Sequence, residues 1–160
     1  MKIIRDRAII EDDWIALADD AEIPTSGRVI LSLKRWQETR DALKTREIGV
    51  RIPNNVDVIP LWDQLKDRPL IAVEFPSFGD GRAFSQAAVL RERFKYKGEI
   101  RAVGDVLRDE LQFMLRCGIN AYVPRADQDL QVCVKAFADF TTPYQGAADD
   151  LVPVFKRRRA

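Results

Sequence analysis

The sequence predicts a single α/β domain built from mainly parallel strands that alternate with helices. Three observations carry that prediction. Short apolar runs recur along the chain, and each is followed by a stretch with helical periodicity. Strands that alternate with helices pair in parallel through crossover connections. At 160 residues, 46% apolar and 32% charged, the chain has the size and composition of one globular domain. Folding at that length removes roughly 70% of the unfolded chain's surface from water.

The elements follow in order. Ile3–Ile10, "IIRDRAII", places two apolar runs around a polar centre and reads as a small N-terminal hairpin. Ala18–Gly27 is polar and turn-rich, a connector. Strands are expected at Val29–Leu33, Ile48–Ile52, Leu70–Phe75, Ile100–Val103 and Ala121–Val123. Helices are expected at about Lys34–Arg46, Asp57–Lys66, Gly81–Tyr96, Val106–Cys117 and Gln128–Phe140. Ala83, Ala87, Leu90 and Phe94 form one apolar stripe, and Leu107, Leu111 and Met114 another. Gly98 and Gly118 stand where helices end, and Asp80, Asp105 and Asp127 where they begin. Five such units fit an open, doubly wound sheet; the alternative is a partial β/α barrel, completed by dimerisation. The organisation is then residues 1–27 as hairpin and connector, 28–145 as the α/β domain and 146–160 as a C-terminal basic tail. That tail ends "KRRRA", with four positive charges, so a net charge of +1 leaves the body at −3.

Composition excludes several chemistries. There is no histidine and there are two cysteines, Cys117 and Cys133. This rules out Ser-His-Asp and Cys-His catalysis and HExxH zinc sites. Two thiols outside any C-x-x-C pair do not make a structural zinc or a four-cysteine iron–sulfur site; both read as structural. No apolar run approaches the ~20 residues of a membrane span. The charged start "MKIIRDRAII" has no signal-peptide core, so a cytoplasmic protein is expected. Trp14, Trp36, Trp62, Phe113 and Tyr144 are scattered and do not interleave with basic residues, which argues against nucleic-acid binding.

The candidate functional residues cluster at the carboxyl ends of the expected strands, where open α/β sheets bind ligands. Three strands end alike, "VRIP", "VEFP" and "AYVP", with Arg51, Glu74 or Tyr122 two residues before the proline. Central parallel strands are normally unbroken apolar runs, yet Arg51, Glu74 and Arg101 interrupt theirs. A buried charge needs a partner, so Glu74 is expected to bridge Arg51 or Arg101, either as a structural ion pair or as a polar cluster at the sheet edge. The loop "FPSFGDGRAFSQ", Phe75–Gln86, enters a helix at the same edge. Its candidate ligand-binding residues are Ser77, Gly79, Asp80, Gly81, Arg82, Ser85 and Gln86, supported by Arg101. Free amides at a helix start attract anions, and Arg82, Ser85 and Gln86 share one helix face. The competing reading is that Asp80 caps the helix and Arg82 is a surface charge. Phe84 stands where G-x-G-x-x-G needs its last glycine, so no dinucleotide fingerprint is present. Asp105 and Asp109, four apart, are a possible pair for a hard cation, or else a cap and a dipole partner. Glu74 and Asp105 are the candidate general acid/base residues.

The stretch "EFPSFGDGRAFSQAAVLRERFKYKGEIRAVGDVLRDELQFMLRCGINAY" and the later "YQ" at Tyr144–Gln145 resemble a family of bacterial domains of unknown function. The resemblance spans roughly Leu70 to Gln145 and rests on "DGRAFSQA", "LRER", "GEIRAVGDV" and "RCG". Members bear the label probable oxidoreductase involved in sulfite reduction and are encoded beside the assimilatory sulfite reductase haemoprotein. The chain departs from the family pattern at Glu110, where glutamine is usual, and at Ile119, where an aromatic is common. The resemblance implies an accessory role in assimilatory sulfite reduction, with the reductase, its electron donor or a sulfur oxyanion as partner. It supplies no catalytic residues. No motif announces a redox cofactor, and none is expected. The alternatives are a small α/β enzyme acting on an anionic metabolite, with a phosphate-like anion also fitting the loop, and a structural domain that forms a homodimer.

Overall fold

The computed structural model describes residues 1–140, 142–149 and 151–157. It is a mixed α/β domain with one eight-stranded, mostly parallel sheet curled into a half-barrel. The strands are β1 (Lys2–Arg5), β2 (Ala8–Glu11), β3 (Trp14–Ala16), β4 (Arg28–Ser32), β5 (Ile48–Ile52), β6 (Leu70–Phe75), β7 (Glu99–Gly104) and β8 (Ala121–Tyr122). Their spatial order is β2-β1-β8-β7-β6-β5-β4-β3. From β3 to β8 every pair is parallel. The N-terminal hairpin adds to β8 antiparallel. Its turn is Asp6-Arg7, both at positive φ (50° and 67°), the geometry that matches strand twist in a two-residue loop.

The strand order corrects the doubly wound expectation. β3 to β8 lie side by side in chain order, so there is no switch point and crossovers of one hand stack the helices on one face. The sheet must also roll. Eight strands at ~4.8 Å spacing would span ~34 Å if flat. The edge strands β2 and β3 are joined by Asp12 and Asp13 alone, a link of at most ~11 Å. The two edges therefore meet end to end through that dipeptide. β3 itself was not foreseen; three residues around Trp14 are too short a run to show a period.

The helices are α1 (Leu33–Thr39), α2 (Trp62–Leu65), α3 (Arg82–Ala88), α4 (Leu111–Arg116), α5 (Leu130–Lys135) and α6 (Val154–Arg157). The first five are shorter than their periodicity suggests, and α6 lies in the stretch expected as a basic tail. Ser32 Oγ accepts from Arg35 N at 3.3 Å and starts α1 one residue earlier than expected. Asp57 takes the Ile59 amide at 2.9 Å in a turn, and Pro60 follows, so α2 begins only at Trp62. Asp129 caps α5 through the Gln131 amide at 2.7 Å; Asp127, the expected cap, pairs with Arg125 instead. α3 runs on into a π-helical turn at Val89–Arg93. That turn sends the Arg91 guanidinium to the carbonyls of Gly118 (2.9 Å), Gly98 (3.2 Å) and Tyr96. Gly118, at φ +92°, ends α4 as predicted, whereas after α3 the left-handed position falls on Lys95 (φ 55°) and not on Gly98.

The main core lies between sheet and helices and includes Val29, Leu31, Val50, Ile71, Val73, Phe75, Ala83, Ala87, Leu90 and Met114. The inner face of the curl holds a second, smaller cluster of Trp14, Ile30, Leu70 and Ala72. A Cβ on Gly49 would press on Leu70 (3.0 Å), Ile30 (3.1 Å) and Trp14 (3.3 Å); the missing side chain leaves the room that the indole fills. Residues 146–149 turn back onto α4, with Ala148 N donating to Arg116 O at 3.0 Å and Arg116 paired to the buried Asp149 side chain at 2.9 Å. The end of the basic tail, Arg158 to Ala160, lies outside the described residues. Among the described residues no helix is long and apolar enough to cross a membrane.

Candidate functional site

Register decides where the strand charges go. Arg101 lies opposite Ala72 on β6 and Ala121 on β7's other neighbour, β8. Two alanines leave room for its guanidinium on the inner face. Arg101 Nη1 and Nη2 donate to both oxygens of Asp12 at 2.7 and 2.9 Å, and Nε donates to Glu99 at 2.6 Å. Arg5 approaches Glu99 at 3.6 Å. The Arg101 and Asp12 side chains are each 1% exposed. This corrects the expectation for Arg101: its nitrogens are committed to protein carboxylates inside the fold, and it supports no surface site. Asp12, its partner, gave no sequence signal, because it belongs to the dipeptide that bridges the sheet edges.

Glu74 and Arg51 stay on the same inner face as Arg101 by the two-residue strand period. The expected bridges do not form. Glu74 stands opposite Val103, nearer the carboxyl edge, while Arg101 turns to Asp12. Glu74 and Arg51 are partly exposed, and their side chains make no hydrogen bond or ion pair among the described residues.

The Phe75–Gln86 loop is fastened from both sides. Asp105 N donates to Phe75 O at 2.7 Å. The Asp105 carboxylate accepts from Phe78 N at 3.0 Å and from Arg125 at 2.8 Å. Asp105 is therefore a brace between the loops after β6, β7 and β8, and not a helix cap. The glycine that this arrangement needs is Gly104, at φ +98°, where a Cβ would collide with the Phe75 carbonyl. Gly79 and Gly81, expected to supply unusual backbone angles, are not in the positive-φ region.

At the start of α3, Asp80 accepts from Arg82 N at 3.3 Å, from Arg82 Nε at 2.9 Å and from Nη2 at 2.6 Å. The Arg82 side chain holds its carboxyl well below the usual carboxylate range. The protein's own carboxylate thus stands where an anion was expected. Ser77 O accepts from Asp80 N at 3.0 Å. Arg82, Ser85 and Gln86 do share a surface: with Asn54, Asn55 and Asp57 they line a cavity of about 270 Å³ between α3 and the loop after β5.

Of the pair Asp105 and Asp109, the Asp105 carboxylate is bonded to Arg125 and the Phe78 amide and Asp109 lies 3.5 Å from Arg108. Among the described residues there is no group of three or more acidic or cysteine side chains able to hold a metal ion. Glu110 sits beside them with Oε2 buried and unpartnered, and burial pushes its carboxyl up, helped by Asp105 and Asp109. Burial likewise pushes the Cys117 thiol up to about 11. Neither cysteine is in a disulfide, and a thiol so raised is a poor nucleophile.

A different surface was missed. Phe75, Phe84 and Phe113 form an aromatic chain with edge contacts of 4.9 Å between successive rings, leading from the core to the surface of α4. Phe113 is 55% exposed, Phe140 69% and Tyr144 77%. Phe140 and Tyr144, with Gln112, Arg116, Pro143 and Gln145, line a groove of about 350 Å³ beside α4. Phe113 and Tyr144 were visible as aromatics, but their exposure depends on how residues 142–149 return to α4.

No curated protein and no solved structure matches the chain. A family model matches residues 49–155, from β5 through the groove beside α4, and the chain belongs to that family, described as bacterial protein of unknown function (DUF934).

Proposed function

We propose that the protein is an accessory component of assimilatory sulfite reduction that binds the sulfite reductase or its electron donor through the aromatic face around α4. The sulfite setting comes from the sequence resemblance. The mode of action rests on one observation: Phe140 and Tyr144 are exposed in the lining of a groove beside α4, and Phe113 is exposed on α4 itself. Exposed aromatics grouped in this way favour a protein contact. The test is capture of the reductase or donor by the tagged full-length protein from sulfite-grown cells. Capture by the native protein, reduced at least tenfold by Phe113→Ser with Tyr144→Ser, supports the reading. Absence of both partners from the captured material, with normal sulfite growth of a deletion strain, refutes it. A flavin-like absorbance band in the purified protein would favour the oxidoreductase label instead.

A second reading, a small enzyme for an anionic metabolite, is favoured by the unpaired Glu74 and Arg51 on the inner face. Asp105 is the weaker acid/base candidate, since Arg125 and the Phe78 amide already occupy its carboxylate. If Glu74 is a general base, Glu74→Gln abolishes turnover and leaves ligand binding intact.

A further inference from the structure

A basic cavity opens between the loop that enters β7 and the returning residues 146–148. It holds about 630 Å³, and Arg91, Glu92, Lys95, Lys97, Gly146 and Ala147 line it. Three cations stand there against Glu92 alone, a net charge of +2.

Arg91 is the fixed member of the group. Its Nε donates to Gly118 O at 2.9 Å, Nη1 to Tyr96 O and to Gly98 O at 3.2 Å, and Nη2 to Asn120 Oδ1 at 3.3 Å. Every one of these acceptors is neutral. The acids flanking this region are spent elsewhere: Asp6 accepts from Asn120 at 3.3 Å, and Asp149 accepts from Arg116 at 2.9 Å. Burial accordingly pushes the Arg91 guanidinium down from the ordinary arginine value, whereas carboxylates push Arg28, Arg82 and Arg125 up. A half-buried charge without a counter-ion is unfavourable, and an anion in the cavity would supply one. Lys95 and Lys97 are exposed, and neither pairs with a carboxylate among the described residues. Lys95 also adopts the left-handed conformation, φ 55°, where glycine or asparagine is the easier choice. On the other wall, the amides of Gly146 and Ala147 have no hydrogen-bond acceptor among the described residues, so they are available donors.

This donor set selects a class of anion. Arg91 has spent both Nε and Nη1, so it offers no free two-nitrogen fork to a planar carboxylate. The two lysines act as mobile point charges that suit a tetrahedral group. No aromatic ring lines the cavity to stack on a base. A phosphate monoester carries about −1.5 to −2 charge near pH 7, which matches the lining.

We propose that this cavity binds a phosphate group, free or in a small non-aromatic ester, held by Lys95, Lys97 and the Gly146 and Ala147 amides beside the fixed charge of Arg91. The proposal is independent of the aromatic docking face.

The test is an amide NMR titration of the full chain with inorganic phosphate and with glycerol 3-phosphate. Sodium chloride holds the ionic strength constant, and glycerol and succinate are the controls. The expected result is a saturable shift of the amides of residues 92–97 and 146–148 at millimolar phosphate or glycerol 3-phosphate. Glycerol and succinate at the same concentration leave them in place. Tighter binding of glycerol 3-phosphate assigns the site to an ester, and equal binding assigns it to the free ion. Lys95→Asn together with Lys97→Gln weakens the response at least tenfold. Both side chains are exposed and asparagine accepts the left-handed backbone, so this variant keeps the fold, which the remaining amide signals verify. The proposal is overturned if neither phosphate compound gives a saturable shift. It is equally overturned if succinate shifts these amides as strongly, or if the lysine variant binds as the native protein does. The aromatic face is read separately, by capture of a protein partner.

Discussion

Glu110 carries an acidic group in a place suited to a neutral one. Its Oε2 is buried without a donor, and Asp105 and Asp109 add like charge. Burial and repulsion both favour the protonated carboxyl, so its folded pKa lies above its unfolded one. Between those two values the folded state holds the extra proton, and stability falls as pH rises through the window. Glu110→Gln removes the titration and keeps the shape. We expect the variant to match the native protein below about pH 4, near the unfolded carboxylate value, and to be more stable at neutral pH. The expected sign is a higher Tm for the variant than for the native protein at neutral pH. Thermal melts at both pH values check this; an equal difference at both would show that ionisation is not the cause. At the residue scale the sequence was informative about identity but not about partners. Glu74, Arg51 and Arg101 were rightly seen as charges interrupting apolar strands. Which carboxylate would meet Arg101 depended on a loop some ninety residues earlier in the chain, at Asp12.

At the scale of elements, the strands were legible because their apolar runs are bounded by proline, glycine or charge. The helices were overextended because periodicity continues through turns that local hydrogen bonds redirect, such as the Asp57 turn and the π turn at Val89–Arg93. The Phe75–Gln86 loop shows the same limit. Two glycines, Gly79 and Gly81, drew attention by their spacing, yet the backbone demand falls on Gly104 in the next unit. Gly104→Ala tests that assignment. It adds a Cβ at φ +98° against the Phe75 carbonyl, and the Asp105 N to Phe75 O bond that joins the two loops cannot survive unchanged. We expect a loss of at least ~1–2 kcal/mol and faster amide exchange in residues 75–81. Gly79→Ala, with nothing within 4 Å of the added Cβ, should be close to neutral. Similar melting curves for the two variants would show that Gly104 is not the constrained position.

At the scale of the whole molecule, alternation of strands and helices gave the α/β class and the mainly parallel pairing. The curl entered only as the alternative of a partial β/α barrel, because it depends on two edge strands that are neighbours in the chain and meet through Asp12 and Asp13. That dipeptide provides its own controlled experiment. Asp12 is 1% exposed and bidentate to Arg101 in the middle of the sheet. Asp13, one residue on, is 61% exposed and pairs with Arg28 at 2.7 Å. Removing one partner of a buried pair strands the other charge, at about 3–5 kcal/mol. Removing a partner from an exposed pair costs about 0–1 kcal/mol. Asp12→Ala should therefore lower Tm by ~10 °C or more, and Asp13→Ala by a few degrees at most. Adding Arg101→Met to Asp12→Ala should recover much of the loss, because the stranded guanidinium is then gone and Glu99 keeps Arg5. If the curl is held chiefly by the apolar inner cluster of Trp14, Ile30, Leu70 and Ala72, the two aspartate variants will melt together and the double variant will recover nothing. A clear separation would show instead that the ion pair ties the seam of the half-barrel to its central strand.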